Sequence, residues 1–182
     1  MITTRSQLNY YIQEDAKSNG IVLGWKYWVK IIYGNVPAHA FRYLKSLRKW
    51  EYYTNNGSWL RFWYRFYNRR LGLRYRLAIP INVVGPGLKL PHLEGGVVLN
   101  CKSIGYGCSA NADVLCGNKY TQDNRPTIGN NVELCPGCKV IGNVRIGDNV
   151  TVAPNAVVIS DVPDNAIVGG VPARILKYKE RK

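Results

Sequence analysis

The feature that most constrains this chain is a beat of six. Aliphatic residues fall at Ile128, Leu134, Val140, Ile146, Val152 and Val158, each six after the last. Four positions after each of these anchors comes a second small or β-branched residue: Val132, Cys138, Val144, Val150, Ala156 and Val162. A period of six does not fit the helical 3.6, and it is longer than strand alternation demands. It suits short parallel strands joined by tight corners, three strands making one triangular coil of a β-helix. Gly, Asn, Asp and Pro fill the intervals, as in IGNNVE and VAPNAV, and glycine and asparagine tolerate the positive φ of a sharp corner.

Upstream the beat continues with slips. Val84 and Leu90 keep it, as do Val98, Ile104, Ala110 and Cys116, but Leu90 to Val98 is eight, which places an insertion of two residues around His92. Cys116 to Ile128 is twelve, so residues 117–127 read as a loop thrown out of the coil. The expected organisation is a helical region over 1–76, a β-helix over 77–168 carrying the 117–127 loop, and a C-terminal cap over 169–182, because both ends of a solenoid need covering.

The beat also explains ELCPGCKV. Cys135 follows the anchor Leu134, and Cys138 takes the small slot that valine or alanine fills elsewhere; Cys108 takes that slot after Ile104, and Cys116 is an anchor. Free cysteine packs as a small hydrophobe. With no second C-x-x-C and no nearby histidine, neither a zinc site nor a redox dithiol is expected, and no metal is assigned. Five cysteines is an odd number, which argues against a closed disulfide framework and for a reducing, cytoplasmic setting. The opening MITTRSQLNYY lacks the apolar core of a signal peptide, and no apolar run approaches the ~20 residues of a membrane span.

Charge and aromatics break near residue 77. Residues 1–76 hold 14 Lys and Arg against three acids (Glu14, Asp15, Glu51), a net +11, whereas 77–182 hold 11 against 8. All five Trp and all three Phe precede residue 76. Four helices are expected: one from Ser6 to Gly20, one in GWKYWVKIIYGN, one from Pro37 to Asn55-Asn56-Gly57, and one after Ser58. Along the fourth, Trp59, Phe62, Trp63, Phe66 and Tyr67 recur at helical spacing, interleaved with Arg61, Arg65, Arg69 and Arg70. The first expectation for this stripe is packing, on the solenoid or on a neighbouring subunit. A peripheral contact with the inner membrane face or with a lipid-linked substrate is second. Nucleic acid is set aside for want of any recognisable motif.

Three stretches carry a family resemblance. The hexads and the ending VISDVPDNAIVGGVPARIL resemble hexapeptide-repeat acyltransferases with a left-handed β-helix, and the serine acetyltransferase-like group in particular. GPGLKLPHLEGGVV is similar to that group's catalytic stretch, and DNRPTIGNNVELCPGCKVIGNVRIGDN to its cofactor-binding coils. The resemblance covers roughly residues 77–176. It implies a homotrimer, acetyl-CoA lying in the groove between neighbouring solenoids, and a histidine as general base on an acceptor hydroxyl. His92 takes that role; an imidazole titrates near the operating pH, and this one sits where the beat breaks. The other histidine, His39, opens a helix, where capping or packing is expected. By match, Cys116, Gly117, Pro136, Gly137, Ala153, Pro154 and Gly169 line the cofactor path, with Arg174 and Lys177, alongside Lys139 and Arg145, as basic residues for the CoA phosphates. Proline at 136 has no N–H where the family offers one.

The match has departures. The aspartate that the family places fifteen residues before its histidine is here Leu77, and the one just before the histidine is Pro91. Arg125 stands where the family's loop histidine holds the substrate carboxylate, flanked by Asp123 and Asn124, and a guanidinium can clamp a carboxylate. Glu94, two residues along from His92, is a candidate to orient it, and a backbone carbonyl is the alternative. The resemblance implies an acetyl-CoA-dependent O-acetyltransferase, and these losses point its acceptor to a sugar hydroxyl in polysaccharide or glycoconjugate synthesis. True serine O-acetylation is the alternative, and a non-catalytic solenoid scaffold a third reading.

Overall fold

A computed structural model describes residues 1–121 and 123–180; Gln122 of the loop and the last two residues of the 169–182 segment lie outside the described residues. The helical region holds α1 (Arg5–Ser18), α2 (Trp25–Ile32), α3 (Val36–Asn55) and α4 (Leu60–Tyr75). Beyond it the chain winds as a left-handed parallel β-helix with three faces.

The first face stacks β1 (Leu77–Ala78), β2 (Val97–Leu99), β5 (Val114–Gly117), β8 (Lys139–Ile141) and β11 (Val157–Val158). The second stacks β3 (Ser103–Ile104), β6 (Thr127–Ile128) and β9 (Arg145–Ile146), with Val84 and Val162 bridged on at either end. The third stacks β4 (Ser109–Ala110), β7 (Glu133–Leu134), β10 (Thr151–Val152) and β12 (Ala166–Gly170). All these ladders are parallel, and β13 (Ala173–Tyr178) closes the third face by pairing antiparallel with β12. The anchors form the inner columns: Ile104, Ile128, Ile146 and Val162 on one face, and Ala110, Leu134, Val152 and Val168 on another, all buried. Corners use the left-handed region, as Asn131, Asn149 and Asn165 do at φ 52°, 58° and 61°.

The register corrects one anchor. Val98 pairs with Leu115 on the outside of the first face, while Leu99 pairs with the buried Cys116. The inward residue is Leu99, so nine residues rather than eight separate it from Leu90, and the insertion around His92 is three residues long. Two irregular intervals, nine and then five to Ile104, had masked each other in the sequence.

The helix starts move slightly. Thr4, not Ser6, caps α1, with Gln7 reaching back to complete a capping box. Asn35 caps α3, which puts Pro37 in its first turn. Trp59 occupies the cap position of α4 with no side-chain cap bond, and Ser58 only approaches the Leu60 N–H at 3.4 Å.

One buried cluster joins the helices to the first coil. The Arg48 guanidinium of α3, fully buried, donates to Asp15 Oδ2 at 2.8 Å, to Glu51 at 3.3 Å, and to the carbonyls of Val84 and Gly85, both at 2.7 Å. Asp15 in turn accepts from the Gly87 and Leu88 N–H groups. Asn19, just past α1, donates to the Leu88 carbonyl and accepts from the Leu90 N–H at 3.1 Å. These side chains replace the neighbour strand that the first coil lacks, so the solenoid's open end is satisfied by α1 and α3.

Candidate active site

His92 lies in the 91–96 connection that turns the first coil from the third face to the first. Below it, the same corner repeats once per coil. The Asp113 N–H donates to the Gly96 carbonyl, Gly137 to that of Ala112, Asn155 to that of Pro136, and Ala153 to that of Val168. Gly169 lies against Ala153 so closely that an added Cβ would stand 3.2 Å from the alanine methyl. One edge of the prism therefore carries His92, Glu94, Pro136, Gly137, Ala153, Pro154 and Gly169. Four steps at about 4.8 Å each make this edge roughly 19 Å long, with Pro136, Pro154 and Asn155 exposed along it. Arg174, paired with Gly169, joins it at the last coil.

Cys116, Gly117 and the loop with Asp123, Asn124 and Arg125 lie elsewhere. They occupy the corner where the first face turns into the second, the other edge of that face. The length of a strand of three to four residues, about 10–13 Å, separates the two edges. Within one chain the structure brings together the His92 edge and, separately, the loop edge. Lys177 departs further: it pairs with Ile167 and lines a depression with Asn131, Asn149 and Asn165 at the far side of the third face. Cys116 is wholly buried beside Cys101, so its thiol is a core group, and only its backbone can meet a ligand.

The histidine itself is exposed. Its Nδ1 stands 3.9 Å from Glu94 Oε2, beyond hydrogen-bond length, and both side chains are about two-thirds open. Leu77 is buried in β1, pointing into the core, and supplies no carboxylate. In the loop, the Asn124 side-chain amide donates to the Lys119 carbonyl at 3.2 Å, bracing the loop's own turn. Asp123 is exposed. Arg125 Nε is buried with no hydrogen-bond partner among the described residues, a donor held ready for an acceptor.

Three features near His92 gave no sequence signal, because long-range packing creates them. The Arg76 carbonyl receives the Val97 N–H, which brings the end of α4 against the 91–96 turn. A pocket of about 310 Å³ follows, lined by His39, Arg74, Tyr75 and Arg76 from the helices and by Leu93 and Glu94 from the turn. His39 hydrogen-bonds the Tyr75 hydroxyl at 2.8 Å; burial, then Arg42 and Arg74, hold its pKa below the usual histidine value. The third feature is Asp113, which sits under Gly95 and pairs with Lys139 at 3.2 Å, so Lys139 is tied to this edge. Of the C-x-x-C pair, Cys138 follows the packing reading, whereas Cys135 is only half-buried. Cys138 is buried with its thiol pushed well up, chiefly by desolvation, and among the described residues no group of three His, Cys, Asp or Glu is placed to hold a metal.

Comparison with known proteins supports the fold. Residues 125–160 match the bacterial transferase hexapeptide (six repeats) family. The chain is 35% identical over 95 residues to a serine acetyltransferase of Synechococcus elongatus, covering 51% of this chain and 39% of that one. It is 33% identical over 105 residues to serine acetyltransferase 2 of Arabidopsis thaliana, covering 57% and 32%. The chain thus spans well under half the length of these relatives. In three dimensions it superposes on soybean serine acetyltransferase with a TM-score of 0.76 at 23% identity, covering 94% of this chain and 69% of that one. The repeats and the superposition together show a hexapeptide-repeat left-handed β-helix. Over about half its length the chain is also similar in sequence to serine acetyltransferases.

Proposed function

We propose that this chain is an O-acetyltransferase that uses acetyl-CoA, with His92 as general base. The observation that carries the reading is the single edge on which His92 and the backbone turns of 136–137, 153–154 and 169–170 are stacked. A thioester-bearing arm laid along that edge reaches His92 at the first coil. Imidazole nitrogen then takes the proton of the acceptor hydroxyl as its oxygen attacks the acetyl carbonyl. Collapse of the tetrahedral adduct expels CoA thiolate, which receives the proton back from the imidazolium. The co-substrate fits the length of this edge, and Lys139 and Arg174 lie along the path as cations for its phosphates. Cys116 and Lys177 have no side-chain part in this reading.

The loop edge completes the site only across copies. Arg125 stands on a different edge from His92 within one chain, so the His92 edge of one copy facing the loop edge of the next unites them. A closed homotrimer makes three such sites. Five free cysteines fit a reducing cytoplasm as the setting.

For the acceptor, the comparisons favour serine over the sugar expected from the sequence, and the Arg125 guanidinium offers a cation for a carboxylate at the loop edge. One observation keeps a second reading, an uncharged sugar hydroxyl: Leu77 and Pro91 leave nothing acidic beside His92 except Glu94 to meet an amino group. The test is CoA release by the purified chain with L-serine in parallel with free sugars and nucleotide sugars. Turnover with serine, abolished in Arg125→Ala, supports the first reading. Turnover only with a sugar replaces it, and release with none of them over the uncatalysed rate refutes both.

A further inference from the structure

The helical region leaves a large aromatic face uncovered. On α4, Trp59, Phe62, Trp63 and Phe66 are 59–74% exposed, and on α2, Trp25, Trp28 and Ile32 are 60–80% exposed. The first expectation for the α4 stripe is packing on the solenoid or on a neighbouring subunit; of the stripe only Tyr67 turns inward against the core, so the solenoid does not cover the rest. The two stripes flank one groove of about 320 Å³, with Trp28 on one wall and Trp63, Tyr64 and Tyr67 on the other. Its floor is α3, which presents Arg42, Lys45 and Lys49. Lys49 reaches the Tyr64 hydroxyl at 3.2 Å and Arg42 Nε donates to that of Tyr67 at 2.7 Å, so the basic groups are held in place. Burial and the nearby Lys49 lower the pKa of Lys45, a strain that a bound anion would relieve.

The charge pattern selects the occupant. From residue 16 to residue 93 the only acid is Glu51, and it and Asp15 are buried on Arg48. Glu14 alone is left to the surface of residues 1–93. A two-fold contact between copies through this face would set Arg and Lys against Arg and Lys with no carboxylate between them. No described helix is long and apolar enough to cross a membrane. Exposed Trp, Phe and Ile interleaved with Arg and Lys match the two layers of a bilayer surface, the acyl boundary and the phosphates above it.

We propose that the α2–α4 face docks the chain on anionic phospholipid, the Arg42–Lys45–Lys49 groove taking headgroup phosphate while Trp25, Trp28, Trp59, Trp63 and Phe66 enter the interface. Docked this way, the protein works on acceptors presented at a membrane surface as well as in solution.

Vesicle flotation of the full chain tests this, with vesicles of phosphatidylcholine alone or with about a quarter phosphatidylglycerol. Each basic side chain near an anionic surface adds about fivefold in affinity, so the mixed vesicles should bind at least tenfold better than the neutral ones. Raising salt from about 0.1 to 0.5 M should weaken binding several-fold. The variant Trp59→Ser/Phe62→Ser/Trp63→Ser/Phe66→Ser alters only exposed side chains, so it should keep its fold by circular dichroism while losing about tenfold or more in binding. Lys45→Gln/Lys49→Gln, which keeps the aromatics and removes two charges of the groove, should lose most of the preference for anionic lipid. Wild-type protein that stays unbound on the mixed vesicles overturns the proposal. So does binding that both variants retain. A particle mass that falls in the aromatic variant while wild-type protein ignores vesicles would show that a second copy covers the face instead.

Discussion

Replacing Arg48 with Met is the most informative single change away from the site. The guanidinium has no access to solvent and makes five hydrogen bonds, to Asp15, Glu51 and the Val84 and Gly85 carbonyls. Methionine fills much of the volume but leaves two buried carboxylates without a counter-charge, held only by backbone N–H groups, and takes a donor from two carbonyls. Removing one partner of a buried ion pair costs about 3–5 kcal/mol, because the charge left behind is uncompensated. At roughly 2–4 °C per kcal/mol for a chain of this size, the melting temperature should drop by about 6–20 °C. The loss has a sign in pH. Burial already raises the Glu51 pKa, and Arg48 is the main influence lowering it, so the variant's Glu51 rises further. A carboxyl whose folded pKa lies above its unfolded value destabilises as pH climbs from the unfolded value, near 4.5, through the folded one. The deficit against wild type should therefore shrink as pH falls from about 7.5 to 5.5. Urea unfolding followed by circular dichroism across that range measures both effects. A deficit below about 1 kcal/mol, or one that does not change with pH, would refute the assignment of Arg48 as the charge that holds α1 and α3 on the first coil.

Other outcomes follow from the same structure. Asn19→Ala removes the side chain that holds Leu90 two residues before His92; steady-state kinetics should show kcat falling more than KM rises, with acetyl-CoA affinity kept. Glu94→Gln should cost only a few-fold in kcat/KM, since the 3.9 Å approach to an exposed imidazole is no hydrogen bond; a loss of ~100-fold would make Glu94 the orienter. His39 has a depressed pKa, so its contribution to stability is complete above the ordinary histidine value of about 6.5 and is lost as pH falls through the folded value; thermal melts of His39→Gln should lack that decline. Gly95→Ala sets a methyl 2.7 Å from the Asp113 N–H and should lower activity together with stability, read by kinetics and melting in parallel.

The solenoid was largely legible because its signal is periodic and local. One face repeats every eighteen residues between Val140 and Val158, and the corners advertise themselves with Asn and Gly. What the sequence hid had physical causes. Val98 and Leu99 are both β-formers, and a nine-residue gap followed by a five-residue one mimics the beat, so only pairing with Cys116 shows which one points inward. The Arg48 cluster joins residues more than thirty apart, and no pattern in α1 foretells that Asp15 will cap a coil. The candidate site was legible as a set of residues but not as two edges. That Arg125 and His92 stand on different corners follows from counting coils, whereas the pocket uniting Glu94 with His39 and Arg76 needs the folded helices. The aromatic stripe was read correctly as helical, but helical spacing carries no information on what covers it.

The most direct test of the account is His92→Asn, with acetyl-CoA binding and acetyl transfer measured on the same preparation by calorimetry and by CoA release. The account predicts unchanged acetyl-CoA affinity, because the stacked turns from 136 to 170 are untouched, and a fall in turnover of about 10²–10⁴-fold with whichever acceptor the wild type uses. Turnover within a few-fold of wild type would contradict the assignment of His92 as the base, and with it the edge on which the proposed reaction is built.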